Sequence, residues 1–336
     1  MYERFYGLRE LPFELTPNPQ YLFLTERHRG ALCNLQYGIT ARRGITLLIG
    51  EAGTGKTTLV HAALGLVNRD DARCVYLNNP TLTRAEFVQF LAHGFGLSAD
   101  ASQSKAVFLR ELEHALLGRL SSGVVSALLI DEAQSLPHEL LEEIRLLANM
   151  ETDTQKLLPV VLAGQPELAD RLNEPALRQL KQRVALRCDL GVLELHETAA
   201  YIAARLERAG GRSVDVFTRE AVETIHERSG GIPRTISVIC DNALISGFAA
   251  DRRPADRKIV VEVCRDLDFG RGRDDSGPRR LDIATDAAAV SPRAAVDTVP
   301  PPPRAVPRAS RPPVDADAPA GELFTSFRRR RPFSFF

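Results

Sequence analysis

Tryptophan is absent from the 336 residues, methionine occurs twice, and the five cysteines include no C-x-x-C pair. Cys33, Cys74, Cys188, Cys240 and Cys264 are odd in number and widely spaced, which fits neither a disulfide framework nor a zinc knuckle; they read as reduced packing residues. No run of about 18 apolar residues offers a membrane span, and residues 1–10 mix acid and base where a secretory leader would be apolar. These absences predict a cytoplasmic chain. Net charge is the last thing missing: 43 Lys+Arg cancel 43 Asp+Glu.

That cancellation hides two unlike parts. Residues 270–336 hold 12 arginines, no lysine and 8 acids, a balance of +4, so residues 1–269 carry −4. The same segment holds 11 of the 21 prolines. It has too little apolar surface to offset the entropy of ordering, so a disordered C-terminal tail is expected over 270–336. The tail ends in Arg328 to Arg331 followed by Phe333, Phe335 and Phe336. That ending suits peripheral contact with an anionic membrane, at the inner membrane face, or contact with nucleic acid; a solvated tail has the same composition.

The first 269 residues alternate short β-rich apolar runs with longer amphipathic stretches, the pattern of an α/β fold with a parallel sheet sandwiched by helices. Strands are expected at 45–49, 74–77, 127–130, 158–163 and 184–188. Thr83 and Glu86 form a capping box at a helix start, and Pro137 opens another helix with Leu140, Leu141, Ile144 and Leu147 inward. Beyond residue 190 the strands stop. Helices are expected at 197–208, 218–229, 233–248 and 259–267, a small α-helical lid domain. The expected division is therefore 1–190 for a nucleotide-binding α/β domain, with an aromatic strap and first helix in 1–40, then 191–269 for the lid and 270–336 for the tail.

Gly50-Glu51-Ala52-Gly53-Thr54-Gly55-Lys56-Thr57 matches G-x-x-x-x-G-K-[ST] between an expected strand and an expected helix starting at Thr58. Glycines let successive N–H groups face one phosphate chain, and the helix N-terminus adds its positive end. Lys56 would reach the β and γ phosphates of ATP, and the Thr57 hydroxyl would ligate Mg²⁺. Hydrolysis needs a second element, and the apolar run 127–130 ends in Asp131 and Glu132. Asp131 is assigned to Mg²⁺ and Glu132 to polarising the attacking water. Gln165, after the fourth strand, could orient that water. Arg178, Arg183 and Arg234 are candidates for neutralising transition-state charge, the first two from a subunit edge and the third from the start of a lid helix. Each of these arginines could equally be a solvated surface residue.

Six of the 21 aromatic residues fall within the first 24: Tyr2, Phe5, Tyr6, Phe13, Tyr21 and Phe23. They could wall an adenine site or strap the core.

A P-loop, an Asp-Glu second motif, a polar residue after strand four, arginines before strand five and Gly231-Ile232-Pro233-Arg234 together resemble the AAA+ P-loop ATPases. The phrases Phe13-Glu14-Leu15-Thr16-Pro17-Asn18-Pro19, Tyr21-Leu22-Phe23, Tyr37-Gly38-Ile39, Asp131-Glu132-Ala133-Gln134 and Leu162-Ala163-Gly164-Gln165-Pro166-Glu167-Leu168 narrow this. They resemble the ATPase domain of the general secretion pathway protein A, or ExeA-type, family, over about residues 2–267. The resemblance implies a homo-oligomeric ATPase, with ATP and Mg²⁺ as ligands, that serves a bacterial secretion or envelope-export machine. In that family a membrane span and a peptidoglycan-binding region follow the ATPase core, where this chain has its Pro/Arg tail. Transposition or replication helper ATPases that bind DNA share the core and form the alternative reading. Against it, residues 1–269 are net acidic and show no evident helix-turn-helix.

Overall fold

A computed structural model of the chain describes residues 1–15, 21–67, 72–78 and 80–269. The expected tail at 270–336 lies outside the described residues, as do positions 16–20 of the Phe13–Pro19 phrase. Five parallel strands, β1 (Ile45–Gly50), β2 (Ala72–Leu77), β3 (Val125–Ile130), β4 (Val160–Gly164) and β5 (Val184–Leu190), form one sheet in the order β2-β3-β4-β1-β5. All four pairings are parallel. All five expected strands are present, with ends shifted by one or two residues.

The three inner strands β3, β4 and β1 are almost wholly buried because both faces of a parallel sheet are covered, while the edge strands β2 and β5 carry Arg73, Arg187 and Asp189 toward solvent. Side chains alternate between two cores at the two-residue period. Ile45, Leu47 and Ile49 of β1, with Leu128, Ile130, Val160 and Leu162, face a layer made by the helices Arg84–Phe95, Lys105–Ser121 and His138–Leu147. Leu48, Ala127, Leu129, Val161 and Ala163 face the helices Glu26–Thr40 and Lys56–Leu66 through Leu35, Ile39, Leu59 and Val60. The Thr83–Glu86 capping box forms as expected: the Glu86 backbone N–H donates to Thr83 Oγ1 at 3.3 Å and the Thr83 N–H to Glu86 Oε2 at 2.8 Å. The helix Lys105–Ser121 was not anticipated. Its apolar residues occur on more than one side, with Phe108, Leu112 and Leu116 buried and Leu117 exposed, so the periodic signal is weak.

Beyond β5 the chain is helical: Leu195–Arg208, Ser213–Val216, Arg219–Ser229, Pro233–Ala249 and Arg257–Asp266. These helices have their own core, built on Ile202, Leu206, Ile225, Ile236, Ile239, Cys240, Leu244 and Val260. The N-terminal aromatic segment joins this core and not the sheet, which differs from its expected place with residues 1–190. Tyr2, Tyr6, Leu8 and Phe13 are buried in it; Tyr2 donates to Asp241 Oδ1 at 2.5 Å, and Phe13 meets Phe217 edge to face at 6.3 Å. The physical reason is area: five short helices cover their mutual core only partly, and large rings fill the remainder. No helix among the described residues is long and apolar enough to cross a membrane.

Phe13 is 1% exposed, far in sequence from the helices it supports. Phe13→Ala should cost about 3–5 kcal/mol of unfolding free energy, the usual scale for deleting a buried ring. Chemical denaturation would measure it, and a loss under about 1 kcal/mol would show that the segment is not part of the helical core.

Candidate nucleotide site

The parallel sheet brings the ends of β1, β3 and β4 to one edge. Ile49 pairs with Gly164 and Ile130 with Leu162, so Gly50, Asp131 and Gln165 leave the sheet side by side. The glycine loop follows β1 directly. Gly53 (φ +83°) and Gly55 (φ +100°) adopt left-handed conformations that a side chain would strain, and the helix Lys56–Leu66 begins at once behind them. The helix starts at Lys56, two residues earlier than expected.

Lys56 is 4% exposed. Its ammonium donates to the carbonyls of Gly50 and Glu51 at 2.8 and 3.1 Å, and no carboxylate lies within ion-pair distance among the described residues. Burial lowers its pKa below the ordinary lysine value, with Glu132 and Asp131 opposing the shift from a distance. A buried ammonium held only by carbonyls favours an anion beside it. The Thr54 hydroxyl donates to the Glu51 carbonyl at 2.8 Å and closes the loop.

Thr57 Oγ1 donates to Asp131 Oδ2 at 2.6 Å, and the Tyr76 hydroxyl on β2 reaches the same oxygen at 3.2 Å. A hydroxyl and a carboxylate at this spacing form a hard oxygen donor set, which suits Mg²⁺. Asp131 is 1% exposed. Glu132 has φ +51°, uncommon for a residue with a side chain, and its carboxylate has other partners than that of Asp131. Glu132 Oε2 accepts from Gln134 Nε2 at 2.5 Å and from Gln165 Nε2 at 3.4 Å, while Gln134 Oε1 accepts from the Gln165 backbone N–H at 3.0 Å. Arg171 donates to the Gln134 carbonyl at 2.6 Å. Two amides therefore hold Glu132 in place.

The helical part closes the site from the other side. The Arg234 N–H donates to the Gly53 carbonyl at 3.2 Å, and a Cβ on Gly53 would come within 2.8 Å of Arg234 Cβ and 3.1 Å of Ile232. Between the loop and this helix start lies a cavity of about 440 Å³, within the usual size range of small-molecule sites. Its lining includes Ala52 to Leu59 and Glu132 from the sheet part, and Tyr21, Phe23, Leu193, Tyr201, Arg205 and Ser237 from the strap and the segment beyond β5.

Of the candidate residues, Ala52, Gly53, Thr54, Gly55, Lys56, Thr57, Thr58, Glu132 and Arg234 line this cavity. Gly50 and Glu51 lie beneath it through their carbonyls, and Asp131 and Gln165 touch liners. Arg178 and Arg183 do not join them. Arg183 precedes β5 and its carbonyl accepts from Ile45 at the amino end of β1, so the length of that strand, roughly 17 Å, separates it from Gly50. Arg178 is exposed on the short helix Arg178–Lys181.

Sequence reasoning missed His28, Gln134 and Arg205. His28 is buried; its Nδ1 lies 2.7 Å from Thr25 Oγ1 and its Nε2 3.1 Å from the Thr54 carbonyl. A carbonyl can only accept, so Nε2 carries the proton and donates. Gln134 stood inside the quoted Asp-Glu-Ala-Gln phrase, a signal that could have flagged it. His28 and Arg205 carried none, since each gains its setting from segments distant in the chain.

Residues 39–172 match the family described as AAA domain. Over this stretch the chain resembles an AAA domain. Over 249 residues the chain is 44% identical to General secretion pathway protein A of Aeromonas hydrophila, covering 74% of this chain and 45% of that protein. The chain thus spans less than half the length of this relative. Among solved structures, Cdc6p from Pyrobaculum aerophilum superposes with a TM-score of 0.58 at 16% identity, covering 78% of this chain and 72% of that one. The ORC2 protein of Aeropyrum pernix, solved in ADPNP-ADP complexes, gives 0.56 at 18% identity over 76% and 71%. The chain therefore shares the fold of these AAA+ structures, with its glycine loop at the carboxyl edge of the sheet and helices following.

Gly53 lies too close to the helical part to admit a side chain without strain. Gly53→Ala should lose about 1–2 kcal/mol from the left-handed backbone alone, with further loss from the contact with Arg234. Wild-type stability by denaturant titration would contradict the packing of the loop against Ile232–Arg234.

Proposed function

We propose that the chain is a Mg²⁺-dependent ATPase that acts as a homo-oligomer in assembling or running a bacterial secretion or envelope-export machine, from the cytoplasmic side of the inner membrane. One observation carries the enzymatic part: Lys56 and Thr57 of the glycine loop converge with Asp131 and Glu132 on one edge of the sheet. The secretion part is supported by the likeness to General secretion pathway protein A.

In this reading the phosphates of ATP lie along the N–H groups of residues 53–57, and Lys56 turns from its two carbonyls to the β and γ oxygens. Thr57 and Asp131 would hold Mg²⁺, which supplies charge neutralisation on the phosphate oxygens. Glu132 accepts the proton of the attacking water, and the Gln165 amide, already directed at that carboxylate, orients the same water. Arg234 flanks the loop from the helical side and draws on the growing negative charge. Arg183 sits a strand length away and Arg178 is exposed outside the cavity lining, so they serve a neighbouring copy rather than their own site, and this is the reason for the oligomer.

Lys56→Ala should abolish ATP binding measured by calorimetry. Glu132→Gln should bind ATP as well as wild type and hydrolyse it about 10²–10⁴ times more slowly. Turnover of Glu132→Gln at the wild-type rate would remove the base assignment. In a strain lacking the chain, wild type but not Glu132→Gln should restore export; restoration by both would separate hydrolysis from the export role.

A further inference from the structure

Arg205 presents a buried charge that the hydrolytic reading leaves unused. It lies in the helix Leu195–Arg208, is 8% exposed, and lines the same cavity as the glycine loop. A guanidinium is always charged in proteins and carries five donors. Its guanidinium carbon lies over two rings, 5.1 Å from the centroid of Tyr21 and 5.2 Å from that of Tyr201. One nitrogen donates to Ser237 Oγ at 3.1 Å, and Nε is buried with no acceptor. No carboxylate lies within ion-pair distance of it among the described residues. Tyr21 uses its hydroxyl elsewhere, donating to Glu10 Oε1 at 2.6 Å, so only its ring serves the cation.

Taking a cation out of water costs several kcal/mol, and two ring contacts offset only part of that. Such a group persists where a partner completes it, and the cavity it lines is the place for one. The phosphate end is already supplied with Lys56 and the loop N–H groups. What Arg205 shares instead are flat apolar walls, Tyr21, Phe23, Leu193 and Tyr201, which suit a heterocyclic base.

We propose that Arg205 is a binding residue for the nucleoside half of the nucleotide, donating to acceptor atoms on the edge of the base or on the ribose. The inference rests on the nucleotide reading above. It makes Arg205 a clamp that ties three separate segments to the ligand: the N-terminal strap through Tyr21, its own helix through Tyr201, and the helix Pro233–Ala249 through Ser237. Because the clamp engages only the nucleoside, it distinguishes a nucleotide from a bare polyphosphate at the same loop.

The test is the ratio of dissociation constants for ATP and for inorganic tripolyphosphate, both with Mg²⁺, in the full chain. Arg205→Met keeps much of the apolar stem and removes the charge and donors. ATP should bind about tenfold more weakly or worse, the scale of one charge-assisted hydrogen bond, while tripolyphosphate stays within about twofold of wild type. An unchanged ratio overturns the proposal, whether both affinities fall together or neither does. Should Arg205→Met fail to fold, Arg205→Lys keeps a cation beside the rings without the planar fork, and a raised or unchanged ratio supports or overturns the proposal in the same way. Wild-type chain that binds no ATP would overturn the nucleotide reading and this inference together. Normal ATP binding by wild type with an unchanged ratio in the variant would overturn this inference alone.

Discussion

Backbone meets backbone where the glycine loop touches the helical part of the molecule, and the site depends on that contact. The Gly53 carbonyl accepts from the Arg234 N–H, and Leu193 donates to the Gly231 carbonyl at 2.8 Å on the same side. A Cβ at Gly231 would collide with the Leu193 carbonyl. The Ile232 and Arg234 side chains also pack directly on Gly53, so the loop and the start of the helix Pro233–Ala249 are in direct contact. The cavity is the space left above this junction, so its shape follows from the same contacts.

Charge is distributed across that cavity in a way that favours a polyanion. Lys56 and Arg205 are both buried and, among the described residues, both lack a carboxylate partner, one in the loop and one against the rings of Tyr21 and Tyr201. The acids Asp131 and Glu132 are engaged instead by hydrogen-bond donors: Thr57 and Tyr76 for the first, Gln134 and Gln165 for the second. Desolvation makes the two cations costly without a ligand and strengthens their attraction for one. The stability of the empty protein and its affinity for an anion are thus set against each other at the same residues.

Much of this was legible in the residues themselves. The strands could be read because each is a short apolar run bounded by loops, and the glycine loop because its chemistry is local: eight consecutive residues supply the curvature, the ammonium and the hydroxyl. Asp131 and Glu132 could be read because they end an apolar run. The helix Lys105–Ser121 could not, since its apolar residues are spread over more than one face. Nor could the destination of Tyr2, Tyr6 and Phe13, because an aromatic residue shows only that it wants burial and not which of two cores it will enter.

The amino-acid sequence alone determined the local chemistry and the alternation of elements, because both are properties of neighbouring residues. Tertiary structure decided the partners: which face each strand turned to which layer, that the N-terminal strap would complete the helical core, and that Arg183 would lie a strand length from Gly50. It also placed His28 against Thr54 and Arg205 against Tyr21 and Ser237. These are contacts between positions far apart in the chain, and only the register of the sheet and the packing of the helices bring such positions within a few ångströms of one another.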